Sequence, residues 1–551
     1  MRTDPSAEAE ALATAAEPFP FQEVLAGFLA QARERLKAGA GAALNVLSGA
    51  AAADLERQLL AHLTFVASLA IGQDFYRFRF ERAPLAALES IWDRQAASTE
   101  IYAAYVRHMQ AGGLVALFDT YPVLARLLAQ SVQQWTVNSV RLCRRFLEDF
   151  PELREIFGWK LESPAGAIAR LRTDLSDRHQ GGQTVIECVL QTDERVVYKP
   201  RTVQPEVVFC RFIGWLNRCG LSLDLKEVRA CDRVTHGLVE AVPAAPCNSD
   251  SEVERFYTRA GMLLGVLHAL AATDVHCENL IASGEHPVAV DLELLLNEVS
   301  PEPSVLATGL LPSWQPAPDG RRFDTSALGS DGAPDHSLRV PAWTSINTDQ
   351  MCLSEDAGSP SPALNRVRLA ERLPPVSDHL PAFLDGFREM YACLLTNRQK
   401  LLADEQMLQA FDGLELRVLV RNTATYTRIH LHLLHPEFLT DGLDRSIELE
   451  WLARPLSGTK TPQQGRARLY EHEWRAMENL DVPHFNTRAW KALEHSPDDL
   501  DMLPLCRERD SRVLRRRLGN LSPADCARQL AIIEAAVRSR FASVALERSA
   551  G

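Results

Sequence analysis

The stretch TDVHCENLIASGEHPVAVDLELLL, Thr273 to Leu296, constrains this chain more than any other. It sets Asp274, Asn279 and Asp291 along a short path of loop, apolar run and second acidic terminus. Phosphoryl transfer uses such parts: one carboxylate orients the attacking hydroxyl, while a carboxamide and a second carboxylate hold magnesium against the phosphates. The five-residue step from Asp274 to Asn279 equals the step between base and metal ligand in a kinase catalytic loop. Pro287 to Val290 reads as a buried strand that delivers Asp291 to the same place. Asp and Asn are also common turn residues, so a plain turn followed by an edge strand accounts for the same spacing.

At 551 residues the chain exceeds one ordinary core, and about two to four subdomains are expected. A formal net charge of −13 argues against a broad nucleic-acid footprint, which needs clustered Lys and Arg. The N-terminus MRTDPSAEAEALATAAEPF is acidic and lacks the basic and apolar regions of a signal peptide. The uncharged runs Ala38 to Ala53 and Pro303 to Pro318 are short and broken by Gly, Ser, Asn or Pro, so no membrane span is expected. Eleven scattered cysteines without a CxxC pair suit reduced thiols and a cytoplasmic protein, not a disulfide framework or a structural zinc site. Cys277 lies inside the central stretch and is read as packing.

In chain order, residues 1–165 read as helical, with apolar residues at three- and four-residue steps and Trp135 on the core stripe. This region carries no catalytic constellation and reads as a cap or peptide-holding module. From about Ser163, LSDRHQGGQTVIECVL and RVVYKPRTV predict a turn, a strand, a turn at Thr192 to Glu194, and a strand ending at Lys199. Gly181 and Gly182 suit either a close backbone approach to phosphate or an ordinary hairpin turn. Lys199 ends its strand either pointing across a sheet toward phosphates or snorkelling from an edge.

PEVVFCRFIGWLNRCG then predicts a helix closed by Gly220. RVTHGLVEAVP follows as a short strand with Glu240 where a kinase carries its hinge. Glu252 to Ala272 forms a strong amphipathic helix running into Asp274. Strand-Lys, helix, strand, long helix, Asp-xxxx-Asn and strand-Asp is a kinase-like order. Residues 297–365 are rich in Pro, Gly, Ser and Asp, and occupy the place of an activation-type loop. Beyond a further helical region, LELRVLVRNTATYTRIHLHLL has β-branched character and brings Arg417, Arg421 and Thr423 close in sequence. Arginines there suit either a phosphate fork or a solvated strand face.

The pieces LSDRHQGGQTV, VVYKPR, FYTRAGMLLGVLHALAATDVHCENLIASGEHPVAVDLELLL, TGLLPSW, RVLVRNTATY and HPEFLTDGLDRS resemble the dehydratase domain of class II lanthipeptide synthetases, the LanM type. The resemblance runs from around Tyr121 to near Ala536. It implies an α+β fold: a lipid-kinase-like, two-lobed catalytic core with extensive additional helices. The implied division is a helical cap at 1–165, an N-lobe at 166–245, and a C-lobe at 246–551 that includes an elimination-site segment at about 414–430.

The implied activity is ATP-dependent dehydration of Ser and Thr in a leader-bearing precursor peptide, by phosphorylation and then phosphate elimination. Carried over by motif, Lys199 would meet the nucleotide phosphates, with Asp177 and His179 in the SDxH-type loop near them. Asp274 would serve the hydroxyl, and Asn279 and Asp291 would hold Mg2+, with His276 and Glu293 in the same motifs. Arg417 and Thr423, six residues apart as the family motif requires, would promote elimination. The magnesium motif is DLE, where protein kinases have DFG.

Full-length members continue into a zinc-dependent cyclase. This chain stops at residue 551 without its Cys and Cys-His cluster, so neither zinc nor ring closure is expected. A separate cyclase or other tailoring enzyme is then a further partner. Two other readings remain open: a peptide kinase that stops at phosphorylation, and a catalytically silent peptide-binding scaffold.

Overall fold

The computed structural model describes residues 18–82, 98–298, 302–316, 322–330, 342–354, 363–454, 463–488 and 509–549. They build two compact units: Met1–Pro200 with Leu338–Gly358 and Arg421–His484, and Arg201–Ser337 with Ser359–Val420 and Phe485–Gly551.

The first unit begins with α1 (Gln22–Ala40), α2 (Gly49–Arg82), α3 (Glu100–His108), α4 (Leu114–Thr120) and α5 (Pro122–Phe157). Pro122 at the first helical turn and Gly158 in the left-handed region (φ 69°) start and stop α5. Leu124, Leu127, Leu128, Trp135, Leu142, Phe146 and Leu153 recur at three- and four-residue steps and form its buried face. Trp135 is core as expected, and its indole N–H donates to the Leu55 carbonyl of α2 at 2.9 Å. Strands β1 (Ile168–Arg172), β2 (Ile186–Leu190) and β3 (Arg195–Lys199) follow. β2 pairs antiparallel with β1 and with β3, and Asp193 makes the β2–β3 turn at φ 65°.

Two later parts of the chain return to this unit. Ala342–Thr344 pairs with Cys352–Ser354, and the Trp343 ring lies over Gly72 of α2, where a Cβ would sit 2.3 Å from it. Only Arg417–Val418 of the segment with β-branched character is strand. Thr423–Leu433 is helix, because the Asn422 carboxamide accepts the Ala424 N–H at 2.9 Å and caps its start.

The second unit contains α6 (Gln204–Asn217), β4 (Ala230–Asp232), β5 (Gly237–Glu240), α7 (Asp250–Ala269), β6 (Leu280–Ser283), β7 (His286–Ala289), α8 (Leu380–Thr396), β8 (Arg417–Val418), β9 (Phe485–Asn486) and α9 (Pro523–Ser549). Ser249 caps α7 by accepting the Glu252 N–H at 3.3 Å, and Glu252 accepts the Asn248 N–H at 2.7 Å, a capping-box exchange displaced by one residue. α7 is buried without a break from Arg259 to Ala269 and crosses α8 where both helices carry glycine. A Cβ on Gly261 would sit 1.9 Å from the Phe383 carbonyl oxygen, and one on Gly386 1.9 Å from that of Thr258. The hydrophobic core of this unit gathers around that crossing.

Within each unit the strand pairings of the described residues are antiparallel and the helices dominate, the α+β arrangement expected. Within the expected activation-type stretch, the described residues include a 3-10 turn at Val305–Thr308 and a short pairing of Gln315–Pro316 with Arg322–Phe323. α9 fastens this part: Gln529 bonds the Val305 N–H and the Pro303 carbonyl, and Arg540 stacks on Trp314 and pairs with Asp324 at 3.4 Å. Residues 299–301, 317–321, 331–341 and 355–362 of the stretch lie outside the described residues. Among the described residues no single helix is long and apolar enough to cross a membrane.

Candidate active site

In the second unit, α7 runs out into a loop in which Ala271 (φ 47°) and Asp274 (φ 66°) take the left-handed conformation. The run Leu292 to Asn297 folds back on that loop: Leu294 O accepts Thr273 N–H, Leu270 O accepts Leu296 N–H, and Ala271 O accepts Asn297 N–H, at 2.8 to 3.1 Å. Thr308, in the TGLLPSW motif, accepts the Val275 N–H at 2.8 Å, and Thr325 accepts that of Cys277 at 2.9 Å. The loop bearing Asp274 is thus held by backbone bonds along its length.

The β6–β7 hairpin, turning at Gly284 (φ 58°), pairs Leu280 with Ala289. One residue beyond that pair, Val290 N–H donates to the Asn279 carbonyl at 2.9 Å. This register brings Asp291 beside Asn279 despite their separation in sequence. Asp291, like Asp274, is left-handed (φ 59°), a conformation that short polar side chains tolerate best and that clusters at functional sites.

The Asn279 amide nitrogen donates to the Asp274 carbonyl at 2.9 Å, which leaves the carboxamide oxygen as the group that can ligate. His276 accepts the Glu278 N–H on Nδ1 at 3.2 Å, and its Nε2 lies 4.0 Å from Asp274 Oδ1. Burial pushes the Asp274 carboxyl above its ordinary pKa. His276 and Arg417 pull it back down, and Asp291 and Glu293 push it up further.

Arg201 joins these carboxylates. Its Nη2 lies 2.5 Å from Asp291 and 3.1 Å from Glu206, and its Nε 3.3 Å from Glu293. Burial opposes its charge, but Glu206, Glu293 and Asp291 more than offset this and hold the guanidinium above its ordinary value. Arg417, on β8 opposite Asn486, donates its own N–H to the Glu293 carbonyl at 2.8 Å and its Nη1 to the Glu293 carboxylate at 2.5 Å. Arg509 donates to the Arg417 carbonyl and, at 2.5 Å, to Asn297 Oδ1. The second unit therefore assembles Asp274, His276, Asn279, Asp291, Glu293 and Arg417 in one network.

A carboxamide oxygen and carboxylate oxygens are hard donors that suit a small divalent cation. Among the described residues no set of three or more His, Cys, Asp or Glu side chains forms a protein-only metal cage. Magnesium needs none, since it binds through one or two carboxylates plus phosphates and water.

Lys199, Asp177, His179 and Thr423 belong to the first unit. Lys199 is only 7% exposed at the end of β3, which removes the reading of a snorkelling edge lysine. Asp177 is exposed on the loop before β2, and His179 donates through Nδ1 to the Val482 carbonyl at 2.7 Å. Gly181 and Gly182 do not present open amides: both donate to the Asp481 carboxylate, at 2.6 and 2.8 Å. Thr423 is half-buried in the first turn of its helix. Arg421 is a structural fork, spent on the buried Glu473 at 2.6 and 3.0 Å and on the Leu452 carbonyl at 2.6 Å. Glu240 on β5 pairs with Arg229 at 3.0 Å.

Arg201, Arg509 and Asp481 were missed by sequence reasoning. Arg201 stands inside the VVYKPR piece, but no local spacing announces partners 90 residues downstream.

The family model described as "Domain of unknown function (DUF4135)" matches residues 121–488. A curated relative, the lacticin 481/lactococcin biosynthesis protein LcnDR2 of Lactococcus lactis subsp. lactis, is 25% identical over 334 residues. That similarity covers 56% of this chain and 35% of the relative, so the chain spans about a third of the relative's length. Both matches bear out the resemblance to LanM-type proteins drawn from the motifs, and the family match begins at Tyr121, where that resemblance begins.

Proposed function

The chain belongs to the DUF4135 family, and from that premise we propose that it is a cytoplasmic, lanthipeptide-type dehydratase of Ser and Thr in a leader-bearing precursor peptide. In this reading a kinase-like, two-lobed core first phosphorylates the side-chain hydroxyl. The same enzyme then removes the α-proton and expels phosphate, leaving dehydroalanine or dehydrobutyrine.

The observation that carries the reading is the network joining Asp274, Asn279, Asp291, Glu293 and Arg417 within one unit. Asp274 orients the substrate hydroxyl and takes its proton, a task helped by a pKa raised toward neutrality. Bound with magnesium, ATP supplies the transferable phosphoryl group. Asn279 and Asp291 would hold the cation; Lys199, Asp177 and His179 are assigned to the nucleotide by the motif resemblance alone. Arg201 and Arg417 pair with Asp291 and Glu293, which holds these carboxylates in a fixed orientation. For elimination, the motif assigns Arg417 to neutralising the charge of the departing phosphate and Thr423 to donating a hydrogen bond.

One observation favours the kinase-only reading. The Arg417 guanidinium is bonded to Glu293 and can serve as a support for that carboxylate. Arg417→Ala separates the two readings in a mass spectrum of peptide incubated with ATP and magnesium. The dehydratase reading predicts accumulation of phosphopeptide and at least about a hundredfold loss of dehydrated product, the scale of one removed charge-stabilising donor. Loss of phosphorylation itself, with no phosphopeptide, would assign Arg417 to the first step only.

A further inference from the structure

The loop that bears Asp177 and His179 is gripped from one side by two residues far along the chain. Asp481 accepts the Gly181 and Gly182 N–H groups on its two carboxylate oxygens, at 2.6 and 2.8 Å. Val482 donates its N–H to the Arg178 carbonyl at 2.8 Å, and its carbonyl meets His179 Nδ1 at 2.7 Å. From the other side, Asn138 of α5 donates to the Gly181 carbonyl at 2.8 Å, and Gln134 accepts from Arg178 at 3.2 Å. Within the loop, His179 and Gln183 exchange both backbone bonds, at 2.8 and 3.0 Å.

Gln180 (φ 48°), Gly181 (φ 89°) and Gly182 (φ 74°) are consecutive left-handed residues, and the amides of such a turn converge on an anion. Here that anion is a carboxylate of the chain itself. Asp481 is 3% exposed, and both of its oxygens point at these amides. The positive φ values favour glycine at both positions, and at Gly182 a Cβ would also lie 2.3 Å from Arg178 Nη2 and 2.8 Å from Gln134 Oε1, side-chain ends that would have to move.

We propose that Asp481 is a positioning residue: its carboxylate fills the Gly181–Gly182 nest, making this turn a latch that presents Asp177 and His179 instead of a cradle for nucleotide phosphate. Because the Val482 carbonyl oxygen can only accept, neutral His179 carries its proton on Nδ1, which makes Nε2 the acceptor nitrogen of the ring. The inference rests on the reading that Asp177 and His179 serve the nucleotide.

The test uses the full chain and Asp481→Asn, which keeps the size but sets an NH2 donor against one of the glycine amides. With peptide saturating, KM for MgATP is expected to rise about tenfold, the scale of one lost charge-assisted hydrogen bond, with kcat changed less. A merely structural residue would lower the melting temperature and the active fraction and leave KM alone, and that result overturns the proposal. Amide-resolved hydrogen exchange of the nucleotide-free protein reads the latch without any activity. Protection of the Gly181 and Gly182 amides in the wild type, lost in Asp481→Asn, supports it. Wild-type amides that exchange freely and become protected only when MgATP is added would instead make the turn a nucleotide cradle. A wild-type protein that consumes no ATP would sink the functional reading, and the exchange result would still decide the latch.

Discussion

Asp274 combines three features that ordinary loop aspartates lack together: left-handed backbone, a carbonyl bonded to the Asn279 amide, and a carboxyl pushed up by burial and by Asp291 and Glu293. The sign of that shift has a kinetic consequence. A carboxylate with a raised pKa takes up its proton at a higher pH than an ordinary Asp, so its base form disappears earlier as pH falls. The acid limb of kcat/KM for phosphorylation is therefore expected above about 4, the ordinary carboxylate value. Asp274→Asn should lower phosphoryl transfer about a hundredfold to ten-thousandfold, the range for a positioned general base. A variant that phosphorylates peptide at the wild-type rate would remove Asp274 from the mechanism. The Asp-xxxx-Asn spacing made this residue legible in sequence, because both groups belong to one local loop. Arg201 and Arg509 were not legible, since each acts on carboxylates or carbonyls fixed only by the fold.

At the scale of elements, the β6–β7 hairpin and the α7–α8 crossing fix the site. The hairpin was readable from Pro287 to Val290 and its glycine turn, and α7 from its apolar stripe. The helix Thr423–Leu433 was hidden by the β-branched residues before it, and its cap at Asn422 outweighs their strand preference. The crossing was also invisible, because a helix glycine reports close approach only once its partner is known. Gly261 abuts a backbone carbonyl that cannot rotate away, so Gly261→Ala is expected to cost about 1–3 kcal/mol or more. Chemical denaturation of the purified variant measures this. A midpoint and slope equal to the wild type would mean that the two helices separate freely, against the packing described.

Over the whole molecule, the chain crosses between its two units several times, and 338–358 and 421–484 rejoin the first unit after long excursions. Hydrophobic periodicity tells which face of a segment is buried but not against which partner, so the helix-rich composition was legible and this threading was not. The assembled donor set predicts a dependence on magnesium: chelation with EDTA should stop ATP consumption in the presence of peptide, and added Mg2+ should restore it. Unchanged turnover in EDTA would remove Asn279 and Asp291 from a metal-holding role. The central claim is tested most directly by the mass spectrum of a Ser/Thr-rich precursor peptide, encoded beside this chain's gene, after incubation with the protein, ATP and magnesium. The account predicts loss of one water for each modified residue, and a peptide that gains phosphate without ever losing water would contradict it.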